Sequence, residues 1–253
     1  MVIESMRNET VKQARALAQR KGRLEQGRHF IEGERLVHEA LASGAHLKDV
    51  FIEEGHEGDA AAFSQSGAAV HLVRRNVMES MALTDTPQWI CATAETPRQP
   101  LPGEYPAGLI VALDRVQDPG NLGTILRTAD AMGACGLLLG EGCADPYAPK
   151  PLRASMGSVY HIPVWQANLE GEVQRLASQG FTLVCGHLKG ESRLPEPGEK
   201  CVLVIGNEGN GVSDAVAAQC KKYRLPMYGK AESLNASVAA GILIYELARK
   251  MRG

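Results

Sequence analysis

Four short, almost wholly apolar segments after residue 108 restrict the fold of the chain more than any other feature. They read LIVALDRV, GLLLGEG, FTLVCGHL and CVLVIGNEG, and segments with a helical pattern lie between them. Strands that are apolar on both faces and alternate with helices are typical of parallel sheets covered on both sides. We therefore expect an α/β domain with a mostly parallel sheet and helices on both faces.

A proline-rich segment divides this region from the first part of the chain. The segment ETPRQPLPGEYPAG has few residues that could build a core, and proline at this density favours an extended, semi-rigid chain. Before it, short strand patterns alternate with helical ones, beginning with FIEGERLVHEAL. We predict a small α/β domain in residues 1–96, a linker in residues 97–107 and a larger domain in residues 108–253.

Composition is that of an ordinary globular protein, with 44% hydrophobic and 22% charged residues in a chain of 253. No apolar run approaches the ~20 residues that cross a bilayer, and the first residues lack the apolar core of a secretion signal. The six cysteines contain no CxxC pair, and the seven histidines are scattered. We expect a cytoplasmic protein with free thiols, no membrane association and no metal.

Several common catalytic motifs are absent from the sequence. GNEGNG does not match the GxGxxG pattern of dinucleotide-binding proteins, and it follows a late strand instead of the first one. There is also no GxxxxGK[ST], no HExxH and no GxSxG. Redox enzymes, P-loop nucleotide hydrolases and the common hydrolases thus have no recognisable site here.

Residues 1–28 carry a local excess of basic side chains in a chain whose formal net charge is −2. A solvated helix face is one explanation, and a surface that faces nucleic-acid phosphates is the other. The basic residues are Arg7, Lys12, Arg15, Arg20, Lys21, Arg23 and Arg28.

Two turns near the end of the chain are candidates for a small-ligand site. The glycine-rich turn at residues 206–211 follows an apolar strand, and glycine serves where the backbone must approach a ligand closely. A second strand-like segment ends in a turn at residues 228–230, after which a helix is expected to begin at Ser233. Together these turns are expected to form a concave binding site for a small ligand.

Arg127 is the most unusual side chain of the helix that we expect to begin near Asn121. An arginine in an otherwise apolar helix is costly unless it meets an anion or a carboxylate. A structural ion pair with Asp130 or Glu208 is one interpretation of this spacing, and an anionic substrate is the other.

Three sequence blocks resemble the three signature motifs of the SpoU (TrmH-type) branch of the SPOUT RNA ribose 2′-O-methyltransferases. The blocks are NLGTILRTADAMGA, LVIGNEGNGVS and LPMYGKAESLNASVAAGILIYEL, in the order and spacing of that family. The connecting segment DPYAPKPLRASMGSVYHIPV is also similar to that family. The blocks NETVKQARAL and FIEGERLVHEAL resemble the small ribosomal-protein-like substrate-binding domain that many family members carry, although this match is shorter.

The resemblance implies a C-terminal trefoil knot, which chain topology alone would not predict because knots are rare. It also implies S-adenosylmethionine as cofactor, ribosomal RNA more than transfer RNA as substrate, and a homodimer. The family's polar site residues fall on Asn121, Arg127, Glu208, Ser233 and Asn235. Its cofactor contacts fall on Gly206, Leu225 and Leu234, with Ile205 and Met227 adjacent.

Two further questions stay open at the level of sequence. The resemblance places Arg127 at the 2′-hydroxyl, where it could act as a base or, since arginine holds its proton tightly, as an electrostatic stabiliser. A transfer-RNA methyltransferase and a non-catalytic RNA-binding or ribosome-assembly protein of the same fold are the alternative functions.

Overall fold

The computed structural model describes residues 2–253, which divide into two compact units. The first unit comprises residues 2–98 together with Tyr147–Tyr160, and the second comprises Gln99–Pro146 together with His161–Gly253. One change of unit therefore falls inside the proline-rich segment. Residues 147–160, which the sequence assigned to the larger domain, instead lie in the first unit. That the two regions act as separate functional domains stays a prediction.

The first unit is built on a mixed five-stranded sheet. Its strands are Val2–Ile3 (β1), Arg28–Glu32 (β2), Leu47–Glu53 (β3), Ala69–Val73 (β4) and Ile90–Glu95 (β5). They are ordered β1-β4-β3-β5-β2. The first three in this order run parallel, and β5 runs antiparallel to both of its neighbours. Sequence reasoning missed β5, although it is an interior strand of the sheet.

Short helices cover this sheet. They are Glu9–Ala16 (α1), Arg20–Gln26 (α2), Glu34–Ala42 (α3), Ala60–Gln65 (α4) and Arg75–Met81 (α5). Asn8 caps α1 by accepting hydrogen bonds from the amides of Thr10 and Val11. Apolar side chains of α1 and α5, such as Val11 and Met81, are buried in one core cluster with strand residues.

The basic segment of residues 1–28 is not a uniform cationic face. Arg23 is buried, and its guanidinium donates hydrogen bonds to the carbonyl oxygens of Leu17 at 2.9 Å and Ala18 at 3.1 Å. It therefore holds α2 against the end of α1. Arg20 and Lys21, by contrast, are exposed.

The second unit contains a fully parallel six-stranded sheet. Its strands are Gly108–Leu113 (β6), Gly136–Gly140 (β7), Val164–Ala167 (β8), Thr182–Glu191 (β9), Lys200–Ile205 (β10) and Lys221–Tyr223 (β11). The order is β11-β9-β10-β6-β7-β8, and every neighbouring pair is parallel. This confirms the predicted sheet.

Helices cover both faces of that sheet, as predicted. The remaining helices of the chain are Pro119–Ala131 (α6), Pro149–Ser155 (α7, in the first unit), Leu169–Ser178 (α8), Asp214–Ala217 (α9) and Ala236–Met251 (α10). Alternate strand residues such as Ile110 and Val204 join α8 and α9 in one core cluster. On the other face α10 packs against β6, β9, β10 and α6. Strand order does not determine how the chain is threaded, so the trefoil knot stays a prediction.

Residues 147–160 join the first unit through a buried histidine. His29 of β2 has its Nε2 atom 2.8 Å from the hydroxyl of Tyr160 and its Nδ1 atom 3.2 Å from Thr96 Oγ1. Its ring lies 5.0 Å from that of Tyr147. Burial, followed by the charge of Arg23, lowers the pKa of His29 to about 3. The imidazole is therefore neutral in this contact.

The described residues, 2–253, contain no helix long and apolar enough to cross a membrane. Nor does this part of the chain contain a group of three or more His, Cys, Asp or Glu side chains placed to hold a metal ion. The six cysteines are free thiols.

Candidate active site

Most of the predicted site residues lie at the end of β10 and in the loops that follow β10 and β11, whereas Asn121 and Arg127 lie in α6. The carboxyl ends of β6, β10 and β11 lie at one edge of the sheet because all three strands run in the same direction. In open α/β sheets this edge is where ligands usually bind. Ile205 is buried as the last residue of β10, Gly206 follows it, and Leu225 comes shortly after β11.

The glycine-rich turn after β10 is closed by its own backbone. The amide of Asn207 donates to the carbonyl of Gly211 at 3.0 Å, and the amide of Gly211 donates back at 2.9 Å. A Cβ atom on Gly206 would lie 2.1 Å from backbone atoms of Gly211 and Val212, so no side chain fits there. Gly211 has a φ of +67°, a conformation that glycine adopts without strain.

Residues at the end of β6 fix this turn in place. The buried carboxylate of Asp114 accepts a hydrogen bond from the amide of Ser213 at 2.6 Å. The side-chain amide of Asn207 donates to the carbonyl of Arg115 at 2.9 Å. Arg115 itself has a φ of +57°, which is rare outside glycine. Sequence reasoning overlooked Asp114, Arg115 and Asn207, although a carboxylate directly after a buried parallel strand was a usable signal.

The structure brings Asn121 and Glu208 together. Asp118 caps α6 by accepting a hydrogen bond from the amide of Asn121 at 2.8 Å, and Pro119 occupies the first helical position. This cap places the side-chain amide of Asn121 where it donates to Glu208 Oε1 at 2.9 Å. The first and second motif blocks are therefore joined directly.

Glu208 is held as an anion by the donors around it. Partial burial acts to raise the pKa of its carboxyl, but hydrogen bonds from the Asn121 side chain and from backbone amides outweigh that effect. The pKa of Glu208 consequently lies below its ordinary value. The amide of Asp118, 3.4 Å from Oε1, is one of these donors.

Arg127 lies on the exposed face of α6, whereas Ile125 and Leu126 are buried. Within residues 2–253 its guanidinium forms no hydrogen bond and no ion pair. The Oδ2 atom of Asp130 lies instead 2.7 Å from the Nδ1 atom of His161. The Oε1 atom of Glu208 accepts a hydrogen bond from the side chain of Asn121. The interpretation of Arg127 as half of a structural pair with Asp130 or Glu208 is therefore wrong.

The third motif block leads into α10, which begins at Ala236 and not at Ser233 as the sequence suggested. The boundary shifts because Asn235 is the N-cap: its side-chain oxygen accepts from the amides of Ser237 at 2.8 Å and Val238 at 3.4 Å. Ser233 is exposed before this cap, and its hydroxyl has no hydrogen-bond partner among the described residues.

The loop between β11 and α10 presents apolar side chains to solvent. Met227 is 38% exposed and Leu234 is 36% exposed, while Leu225 is half-buried. Among residues 2–253, no hydrogen bond or ion pair links Arg127, Ser233 or Asn235 to the Asn121–Glu208 pair. The sheet edge thus combines a braced turn with exposed apolar side chains, and the exposed Arg127 lies further along α6.

Two family profiles match the chain. The SpoU rRNA Methylase family matches residues 108–245, and the MRM3-like substrate binding domain matches residues 8–92. The second match covers most of the first unit, and the first includes every predicted site residue.

Individual proteins are similar along almost the whole chain. A 23S rRNA (guanosine(2553)-2′-O)-methyltransferase of Bacillus subtilis is 37% identical over 97% of this chain and 98% of its own length. An AdoMet-bound rRNA methyltransferase from Sinorhizobium meliloti has a TM-score of 0.88 at 36% identity, covering 98% of this chain and 97% of that one. The SpoU methyltransferase AviRb of Streptomyces viridochromogenes, in complex with AdoMet, has a TM-score of 0.82 at 28% identity, covering 98% and 99%. On the motif blocks, the sheet and these similarities together, the chain belongs to the SpoU rRNA methylase family of S-adenosylmethionine-dependent RNA methyltransferases.

Proposed function

We propose that the chain transfers a methyl group from S-adenosylmethionine to a ribose 2′-hydroxyl of ribosomal RNA in the cytoplasm. The observation that carries this proposal is its full-length similarity to a Bacillus subtilis protein named for that reaction on 23S rRNA. Transfer RNA is the second candidate substrate, because other relatives are described only as tRNA/rRNA methyltransferases.

We assign the cofactor to the sheet edge, where a glycine turn and partly exposed aliphatic side chains follow the strands. Gly206 lets the turn close tightly on itself, because a side chain there would collide with backbone atoms at the other end of the turn. We assign the backbone of this compact turn to the contact with the adenosine of the cofactor. Leu225, Met227 and Leu234 would provide partly exposed aliphatic surface for the cofactor, and the buried Ile205 directly precedes the turn. When bound, S-adenosylmethionine supplies an electrophilic methyl group on a sulfonium, so the protein's own contribution is to position the ribose.

Arg127 is the group proposed to meet the RNA. Its guanidinium is exposed and has no partner among residues 2–253, so it is available to a phosphate next to the target ribose. Because arginine stays protonated, we assign it the stabilisation of negative charge on the attacking oxygen and not proton removal.

The other polar residues are assigned to positioning. Asn121 and Glu208 hold the turn after β10 against the start of α6. Asn235 fixes the start of α10, and we assign the unpaired, exposed hydroxyl of Ser233 to a hydrogen bond with a ribose hydroxyl. A turn held in this way needs little rearrangement when substrate binds.

The proposal extends to the organisation of the whole chain. Residues 1–96 would capture RNA, residues 97–107 would tether them, and residues 108–253 would form a knotted SPOUT domain. Similarity of residues 8–92 to a substrate-binding domain supports the first assignment. A homodimer is also proposed, since α10 leaves apolar side chains uncovered.

Methyl transfer with a radiolabelled cofactor tests the proposal directly. The purified protein should label deproteinised ribosomal RNA more than transfer RNA, and alkali-resistant dinucleotides should locate the label on ribose. Mapping ribose methylation in total RNA with and without the gene should reveal one missing site. Tight RNA binding without methyl transfer, together with no calorimetric signal for the cofactor, would support a non-catalytic RNA-binding protein instead.

A further inference from the structure

A cavity of ≈ 270 Å³ lies within the first unit, at the start of α3. Residues from three separate parts of the sequence line it: Glu32, Gly33, Arg35, Leu36, Gln88, Arg153 and Met156. None of the proposed catalytic or cofactor residues lines it.

Two arginines in this cavity have no partner. Arg153 Nη1 is buried and makes no hydrogen bond. Within residues 2–253, neither Arg35 nor Arg153 forms an ion pair or a side-chain hydrogen bond. Buried polar groups in folded proteins are almost always satisfied, so an orphaned guanidinium nitrogen requires an explanation. An acceptor bound from outside the chain would provide one.

The amino end of α3 adds further donors to the same place. Its N-cap is Gly33, with a φ of +99°, which has no side chain to cap the helix. The side chain of Gln88 accepts from the amide of Glu34 at 2.8 Å. The amides of Arg35 and Leu36 donate to no acceptor among the described residues. A nine-residue helix with open amino-terminal amides attracts negative charge.

The one carboxylate among the described residues that line the cavity, that of Glu32, already accepts hydrogen bonds from the protein. Glu32 accepts hydrogen bonds from the amide of Leu83 at 3.0 Å and from the hydroxyl of Thr84 at 2.6 Å. The two arginines of the lining therefore outweigh its single carboxylate, and the cavity has a net positive charge.

We propose that this cavity binds a phosphate group of the RNA backbone. Planar guanidinium groups and helix amino-terminal amides are the donors that proteins commonly present to phosphate. The inference rests on the proposed function, since it names where the first unit would hold its RNA. The proposed phosphate contact does not involve Arg23, because the guanidinium of Arg23 already holds α2 in place.

The first test uses the full-length protein and deproteinised 23S rRNA over a range of salt concentrations. Arg35→Gln and Arg153→Gln should each weaken binding, and the double variant should lower the slope of log affinity against log salt by about one, as expected for one lost phosphate contact. Calorimetric cofactor affinity should be unchanged. Arg98→Gln removes the same charge from an exposed position in the same unit outside the cavity, and should leave the slope unchanged. The proposal would be wrong if the cavity variants kept the wild-type slope of log affinity against log salt. It would also be wrong if Arg98→Gln lost as much RNA affinity as they do.

The second test uses inorganic phosphate and thermal unfolding, because Arg153→Gln could fail to fold. Phosphate should raise the melting temperature of the wild type but not that of the double variant or of the fully folded Arg35→Gln. Without phosphate, Arg153→Gln should be at least as stable as the wild type, since it removes an unsatisfied buried group. A large loss of stability there would mean a structural role. If the wild type neither binds RNA nor transfers methyl groups, the proposed function is wrong. The thermal unfolding measurement would still show whether the cavity binds phosphate.

Discussion

Arg127 and Glu208 are opposite charges from neighbouring motif blocks, yet the structure gives them different surroundings. Glu208 is enclosed by donors from Asn121 and the backbone, which stabilise its charge. Arg127 is exposed and unpaired within residues 2–253. A side chain whose charge is already hydrogen-bonded within the protein, such as Glu208, suits a structural role. An exposed and unpaired charge, such as that of Arg127, is available to bind a ligand.

Arg127→Ala should therefore abolish most methyl transfer while leaving cofactor affinity nearly unchanged, because the side chain is assigned to the RNA and not to the cofactor. Arg127→Lys should recover little, since lysine lacks the planar fork that binds phosphate through two bonds. Turnover measured under saturating cofactor, with calorimetry in parallel, checks both variants.

Thr124→Ala is the matched control for Arg127, because Thr124 is exposed on the same helix and its side chain makes no hydrogen bond within the described residues. It should behave as the wild type. Near-normal turnover in Arg127→Ala would remove this arginine from the mechanism.

Gly206→Ala should weaken cofactor binding because the added Cβ meets the backbone of the chain's own turn 2.1 Å away. Overpacking of this kind costs about 1–3 kcal/mol, which corresponds to roughly five- to 150-fold in affinity if the turn forms the pocket. Gly209→Ala is the control, since its Cβ would meet only the Asn207 side chain, at 3.5 Å. Equal cofactor affinities for the two variants would place the pocket elsewhere.

At the scale of elements, the docking of α7 and its flanking residues onto β2 depends on a neutral histidine. His29 is fully buried between Tyr147, Tyr160 and Thr96, and its pKa of about 3 is the result of that burial. In the unfolded chain the same side chain has an ordinary pKa of 6.5. The unfolded state therefore binds a proton between these two values that the folded state does not.

Stability should consequently fall as the pH drops from about 6.5 toward 3, by about 1.4 kcal/mol per pH unit for this residue alone. His29→Gln removes the titrating group, so its unfolding free energy should depend less steeply on pH over that range. His56→Gln, at an exposed position, should retain the wild-type slope. Denaturant unfolding at several pH values measures all three proteins, and parallel curves for wild type and His29→Gln would contradict the assignment.

Some elements could be predicted from the sequence because their signals are local. The strands of the parallel sheet are continuous apolar runs in the sequence. The helix α5 likewise spans the residues whose sequence has a helical pattern. β5 was missed because ICATAE mixes small, polar and apolar residues, and its burial comes from neighbours on both sides. The assignment of residues 147–160 to the first unit depends on His29, more than one hundred residues away in the sequence. No local pattern records such a contact.

The candidate site shows the same limit. Motif blocks identified Asn121 and Glu208, but only the fold shows that they bond to each other. Asp114 and Asn207 brace the turn through single hydrogen bonds to backbone atoms that are distant in sequence. Arg127 looked costly in the sequence, and α6 resolves this by presenting it to solvent.

For the whole molecule, the proposed homodimer would use the outer face of α10. Val238, Ile242 and Tyr245 are 51%, 37% and 55% exposed, and their spacing places them on one side of the helix. Ile242→Asp should convert a dimer to a monomer in light scattering at micromolar concentration, because a carboxylate in an apolar contact is costly. Leu24→Asp, at an exposed apolar position in the first unit, should not. A fully active monomeric wild type would exclude the dimer.

The composition of the first unit also has a consequence for how the protein is made. During synthesis, domains generally fold as units as they leave the ribosome, beginning with the amino-terminal one. Here the amino-terminal unit lacks Tyr147 and Tyr160 until translation has passed through β6, α6 and β7. A nascent chain paused before that point carries His29 without its two aromatic partners, and β2 without α7. The first unit to appear is therefore completed only after translation of the second has begun, which ties the maturation of the two together.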